Sequence, residues 1–137
     1  MAGMTAAQIE VFLGKEFPEV QTPKVQSADG KHAELLLEYR PHQLRPGGTL
    51  SGPTMMALAD TAMYALVLSA IGEVPLAVTT NLSINFLRRP KPEALIAEAT
   101  MLKLGRSLAV GEVSLRPASS DEPCAHAVVT YALPPAR

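Results

Sequence analysis

The stretch GPTMMALADTAMYALVLSAIG, residues 52–72, carries one charge, on Asp60. Burying an unpaired carboxylate costs several kcal/mol, so a helix selected for stability alone would hold Ala or Leu there. A carboxylate in such surroundings is a candidate general base or nucleophile; the alternative is a structural Asp bonded to a strand backbone. Gly52 stands at the start of the same helix. Backbone N–H groups there have no partner inside the helix, and the helix dipole favours negative charge. Pro53 has no N–H, so the donor is Gly52 or a later residue. A base paired with a donor for a developing oxyanion is the equipment for attack on an acyl carbonyl. On this reading Asp60 lies close to the Gly52 N–H. Removing its charge should leave the fold intact or raise its stability.

The other reactive side chains narrow the chemistry. His32, His42 and His126 lie far apart and show no metal-ligand spacing, so His42 is assigned no role although it is near the loop before the helix. Cys124 is the only cysteine and can form no internal disulfide. Three Phe, three Tyr and no Trp leave little for a base-stacking surface. Ser51 suits a helix N-cap. Tyr64, one turn beyond Asp60, is placed to line an acyl pocket, and Met55, Met56, Met63 and Leu66 suggest an adaptable apolar one. The basic segments RRPK (88–91) and KLGR (103–106) fit charged strand ends that keep edges solvated.

These residues need elements to hold them. TAAQIEVFLG, with Ile9, Phe12 and Leu13 at helical spacing, predicts a short helix capped by Thr5 and stopped at Gly14. VQSADGKHAELLLEY reads as two strands, or one bent strand, about the turn ADGK. RPHQLRPGGTLSG is a loop broken by Pro and Gly. The long helix follows, with Pro53 in its first turn and Gly72 at its end. Four strands come next, expected as a meander: LAVTTNLSINFL, EALIAEATMLKL, SLAVGEVSLRP and CAHAVVTYAL. The first alternates so that Thr79, Asn81, Ser83 and Asn85 form one polar face on a mid-sheet strand, which suits solvent, a partner subunit or a substrate slot. One helix wrapped by an antiparallel sheet explains a helix that is apolar all round. An Asp near its middle argues against a membrane span.

The chain has 137 residues, 47% of them apolar, which fits a single domain over 1–137 with its own core. A formal net charge of −1 gives no global reason to expect nucleic acid or an anionic membrane as partner. The first residues lack a basic region followed by a long apolar run, and with the single cysteine this points to the cytoplasm.

GTLSGPTMMALAD resembles the signature of PaaI-like hotdog-fold acyl-CoA thioesterases, in which Asn-x-x-Gly-x-x-His-Gly-Gly precedes a catalytic acid on the helix. Gly48 takes the first Gly, Gly52 the Gly after the His, and Asp60 the acid. TTNLSINFLRRP and LKLGRSLAVGEV are also similar to family segments, so the resemblance covers roughly residues 40–133. Arg45 stands for the motif Asn, Ser51 for the His and Pro53 for the second Gly. The resemblance implies an α+β hotdog fold: an antiparallel sheet around one long helix, with a short N-terminal helix added. It implies acyl-CoA hydrolysis to free acid and coenzyme A, with Asp60 as base or nucleophile and Gly52 as oxyanion donor. Thr79 then assists the acid from the facing subunit. Arg45 and Ser51 take the places of the two missing groups, Arg45 as a donor to the thioester carbonyl or a partner for an acyl carboxylate, although Ser51 suits the cap better. Arg88, Arg89, Lys103, Gly105, Arg106 and Ser107 contact coenzyme A, which is substrate; no metal or redox cofactor is implied. Family sites lie between subunits, so a homodimer or dimer of dimers (a homotetramer) is implied. The related hydratases carry a His five residues after the acid, where this chain has Ala65. The alternatives outside catalysis are a binding protein for acyl-CoA or fatty acid, and a structural oligomer that would leave the polar strand face without a purpose.

Overall fold

The computed structural model describes residues 3–135; residues 1, 2, 136 and 137 of the expected 1–137 domain lie outside the described residues. Helix α1, Ala6–Glu16, begins at Thr5. The Thr5 hydroxyl accepts the Gln8 N–H at 3.2 Å and the Gln8 side chain accepts the Thr5 N–H at 2.9 Å, a reciprocal cap that satisfies two donors. The helix does not stop at Gly14 but runs to Glu16, with the Phe17 N–H closing on the Leu13 carbonyl at 2.9 Å. A glycine inside a helix costs only about 1 kcal/mol, and burial of Ile9, Phe12 and Leu13 outweighs it.

Strands β1, Lys24–Ala28, and β2, His32–Leu37, form the expected hairpin about Asp29–Lys31. After a 3₁₀ turn at Pro41–Gln43, β3, Leu44–Arg45, and β4, Thr49–Leu50, make a two-residue ladder. Its loop contains Gly47 and Gly48 at φ 101° and 77°, the left-handed region where a Cβ is strained. Helix α2 then spans Gly52–Ile71, and every residue from Ala62 to Ser69 is buried. It is long and apolar enough to cross a membrane, but 67% of its most apolar window is buried inside the protein.

Strands β5, Val78–Phe86, β6, Leu95–Leu104, β7, Leu108–Pro117, and β8, Ala125–Ala132, complete an antiparallel six-stranded sheet in the order β1-β2-β6-β7-β8-β5. The sheet wraps α2, which is the hotdog arrangement. The expected meander holds for β6, β7 and β8 only. β5 pairs with β8 and is an edge strand, not a mid-sheet one. Segment 87–94 carries the chain from that edge to β6, which lies between β2 and β7; bonds from Leu50 N–H to Pro90 O (3.0 Å) and from Ala118 N–H to Ala94 O (2.8 Å) fix the crossing.

The core is built for close approach of helix to sheet. Ala59, Ala62 and Ala65 of α2 share it with Ala97, Ala99, Ala109, Ala125 and Ala127 of the strands. Gly111 is the tightest point: a Cβ there would lie 2.6 Å from Met63 Sδ and 3.0 Å from the Thr100 carbonyl. Met55, Met63 and Leu66 are therefore core residues and not the walls of an acyl pocket, because their side of α2 faces the sheet; only Met56 is exposed.

Candidate active site

Asp60 sits where α2 passes β5 and β8. It is half-buried, less enclosed than its apolar neighbours in sequence suggest, because the outer side of α2 from Pro53 to Thr61 is not covered by the sheet. Two hydroxyls donate to its Oδ1: Thr79 Oγ1 at 2.5 Å and the Tyr131 phenol at 3.0 Å. The phenol also lies 3.2 Å from the Asp60 main-chain oxygen. Among the described residues no hydrogen bond reaches Oδ2. Burial, and then the Asp60 charge, push the Tyr131 phenol far above its ordinary range, so it stays protonated and remains a donor.

The resemblance implied a Thr79 acting from a facing subunit, yet Thr79 bonds Asp60 of its own chain. Nor does it share a face with Asn81, Ser83 and Asn85. The β5–β8 register shifts between Thr79 and Asn81, so Thr80 is an extra residue in the strand. A bulge reverses the alternation across it. Thr79 thereby joins Leu82, Ile84 and Phe86 on the helix side.

The start of α2 is a second cluster. The Ser51 hydroxyl caps it, accepting the Thr54 N–H at 3.2 Å and bonding the Thr54 hydroxyl at 2.8 Å. The Met55 N–H goes to the Ser51 carbonyl at 3.2 Å, and Pro53 has no N–H. This leaves the Gly52 N–H as the first-turn donor with no acceptor among the described residues. Buried Gln43 holds the preceding loop: its side-chain amide donates to Gln21 Oε1 (2.8 Å) and the Glu38 carbonyl (2.9 Å), and its own carbonyl accepts the Ser51 N–H (2.8 Å). Arg45 is exposed at the β3–β4 hairpin.

Gly52 and Asp60 do not meet within one chain. Eight residues of α-helix rise about 12 Å, so both cannot touch one carbonyl. The basic segments also separate. Arg88 and Arg89 precede β6, while Lys103, Gly105, Arg106 and Ser107 lie at its far end, roughly 25 Å along the strand. Gly52 belongs with the first segment: Leu50 bonds to Pro90, and the Phe86 ring is 3.4 Å from where a Gly52 Cβ would be. Arg88 is engaged there with Glu122 at 3.1 Å and the Pro123 carbonyl at 2.7 Å. Asp60 belongs with the second: Tyr131 pairs across to Ala109, and the Leu133 N–H bonds Ser107 O at 2.8 Å. Each chain thus carries two half-sets at opposite ends of the exposed strand β5.

A cavity of about 140 Å³ opens at Asp60, walled by Phe17, Val20, Pro23, Tyr64 and Tyr131. Its neighbour of about 190 Å³ shares Val20, Pro23 and Thr61 and extends to His42, Thr54 and Ala57. Tyr64 lines the first, with its hydroxyl donating to the Val74 carbonyl at 3.2 Å. His42, given no role from sequence, lines the second. Tyr131 and Gln43 escaped the sequence reading. The available signal for Tyr131 was a polar-tipped aromatic on the inward face of the last strand, in step with Ala127 and Val129.

Comparison with known proteins adds the family. The model of the thioesterase superfamily matches residues 47–131. A protein described as a thioesterase from Silicibacter sp. TM1040 is 39% identical, over 98% of this chain and 95% of that one, with a TM-score of 0.89. A conserved protein of Pseudomonas aeruginosa is 25% identical over 86% and 93%, with a TM-score of 0.78. A hypothetical thioesterase from Streptococcus pneumoniae, crystallised with coenzyme A, shares the fold at 18% identity over 92% and 96%, with a TM-score of 0.79. No curated protein matches the sequence.

Proposed function

The chain belongs to the thioesterase superfamily, whose chemistry is thioester hydrolysis, and on that premise we propose that it hydrolyses an acyl-CoA through a site completed by a second copy of itself. The observation that carries this is the placement of complementary half-sets at the two ends of an unpaired edge strand. A two-fold axis at Leu82, the middle of β5, would run two edge strands antiparallel and set Val78 of one beside Phe86 of the other. Asp60 and Thr79 of one copy then face Gly52 of the other, twice per dimer. The same operation joins Lys103 and Arg106 to the other copy's Arg89 and Lys91, a basic surface for coenzyme A phosphates. A fold relative crystallised with coenzyme A supports that ligand.

In this reading water attacks the thioester carbon while Asp60 Oδ2 takes its proton. Gly52 N–H holds the oxyanion, and the tetrahedral intermediate collapses with loss of the coenzyme A thiolate, which takes up a proton. Direct attack by Oδ2, followed by hydrolysis of the anhydride, uses the same groups. Both routes draw on side chains, backbone and water alone, and the cavity at Asp60 receives the acyl group.

The test is coenzyme A release from aliphatic, aromatic and dicarboxylic acyl-CoAs. Asp60→Asn should lower turnover by about 10²-fold or more, the usual size of a general-base contribution. It should also lower stability by about 1–2 kcal/mol, since two charge-assisted hydrogen bonds become neutral ones; the gain expected from sequence does not apply to a half-buried Asp60 that holds two donors. Wild-type turnover in the variant would remove Asp60 from the mechanism. A wild type that binds acyl-CoA and releases no product would establish a binding protein instead.

A further inference from the structure

The reaction above uses Oδ2 of Asp60 and leaves open what aims it. Both donors to the carboxylate converge on Oδ1, from paired positions on neighbouring strands, since Thr79 and Tyr131 are cross-strand partners. Thr79 comes from the edge strand and is exposed, whereas Tyr131 is only 4% exposed. The Tyr131 ring is stacked on Tyr64 at 5.6 Å and 11°. Tyr64 is itself fixed by its bond to the Val74 carbonyl and by Phe12 of α1, tilted against it at 6.3 Å. The phenol therefore has little freedom to leave the carboxylate. Its shorter contact is to Oδ1, at 3.0 Å, and the longer one to the Asp60 main chain, at 3.2 Å. Tyr131 and Asp60 also share the wall of the 140 Å³ cavity.

We propose that Tyr131 is a positioning residue for the reaction: its phenol, with the Thr79 hydroxyl, pins Asp60 Oδ1 and so turns Oδ2 toward the water or acyl carbon. The inference rests on the reading of Asp60 as base or nucleophile. The Tyr131 hydroxyl bonds no reacting atom; although its ring helps to wall the cavity, it acts on the reaction through Asp60. The aromatic stack links this to α1, whose Phe12 braces the ring that braces Tyr131.

The test is steady-state kinetics of Tyr131→Phe, alone and combined with Asp60→Asn, on the best acyl-CoA. Tyr131→Phe keeps the ring and its stacking. Its kcat should fall about 10-fold or more while KM changes by less than about threefold, the range seen when support to an acting group is lost. In the Asp60→Asn background the same substitution should have no further effect on kcat, because there is no base left to aim. A structural tyrosine would lower kcat equally in both backgrounds, and that result overturns the proposal. So does an Asp60→Asn enzyme that is inactive beside a Tyr131→Phe enzyme of wild-type kcat, which leaves the role of Asp60 standing. Wild-type kcat in Asp60→Asn overturns both. Should Tyr131→Phe not fold, 3-fluorotyrosine at position 131 retains the hydroxyl with altered donor strength. A change in kcat without one in KM then supports the proposal, and unchanged kcat overturns it.

Discussion

Gly52→Pro removes one hydrogen-bond donor and sets a ring carbon where the amide hydrogen stood. Residue 52 is the first of α2, where Pro is favoured because no N–H is needed within the helix. Ser51, which would precede the new proline, already has φ −78° and ψ 154°, the extended conformation a following proline demands. Space is available: a Cβ at position 52 meets the Phe86 ring at 3.4 to 3.9 Å, ordinary contact distance. The cap is untouched, since Ser51 holds Thr54 and Met55 rather than Gly52. Against this, residue 52 would be a proline before Pro53, a pairing that resists helical dihedrals, so stability should change by no more than about 2 kcal/mol in either direction. The catalytic cost is far larger. Loss of one oxyanion donor is worth about 2.7–4 kcal/mol, or 10²–10³ in kcat. Gly52→Ala is the control, because it adds the Cβ and keeps the N–H; its kcat should stay within about tenfold of wild type. Coenzyme A release by the two variants, with thermal melts of each, decides the matter. A folded Gly52→Pro enzyme as fast as Gly52→Ala would refute the assignment of that N–H to the oxyanion.

The shared site makes a stoichiometric prediction. Asp60→Asn and Gly52→Pro chains, each inactive alone, should regain about a quarter of wild-type activity when unfolded and refolded together, because half of randomly formed dimers hold one intact site of two; no recovery beyond the sum of the parents would place each site within one chain. The second concerns alkaline pH. The folded state keeps the Tyr131 proton above the ordinary value of 10.0, while the unfolded chain releases it there. Tyr131's contribution to stability is therefore complete below pH 10 and declines as pH rises above it, by about 1.4 kcal/mol per pH unit. Urea midpoints at pH 9 and 11 should drop less for Tyr131→Phe than for wild type, and an equal drop would contradict the buried, protonated phenol.

Local rules carried much of this fold. Ser51, Pro53 and Gly72 marked the ends of α2, and its largely apolar run called for a wrapping sheet, which covers it except on the outer side from Pro53 to Thr61. The turn residues ADGK set the first hairpin, whereas 40–52, expected as a loop, also holds the short β3–β4 ladder. Gly52 and Asp60 stood out because each is costly or permissive for reasons visible in one dimension: a charge in an apolar run, and a free donor before a proline. Sequence alone could not place them relative to each other. Helical rise separates them by about 12 Å, and only the sheet order, with β5 at the edge beside β8, shows which end of the molecule each occupies. Register was the other hidden quantity. A single extra residue at Thr80 moved Thr79 from the outer face to the carboxylate, and strict alternation carries no mark of it. Tyr131 became Asp60's partner for the same reason. Residues 71 positions apart meet only when the strands close around the helix, and such contacts are fixed by packing of the whole sheet, not by any local preference of the chain.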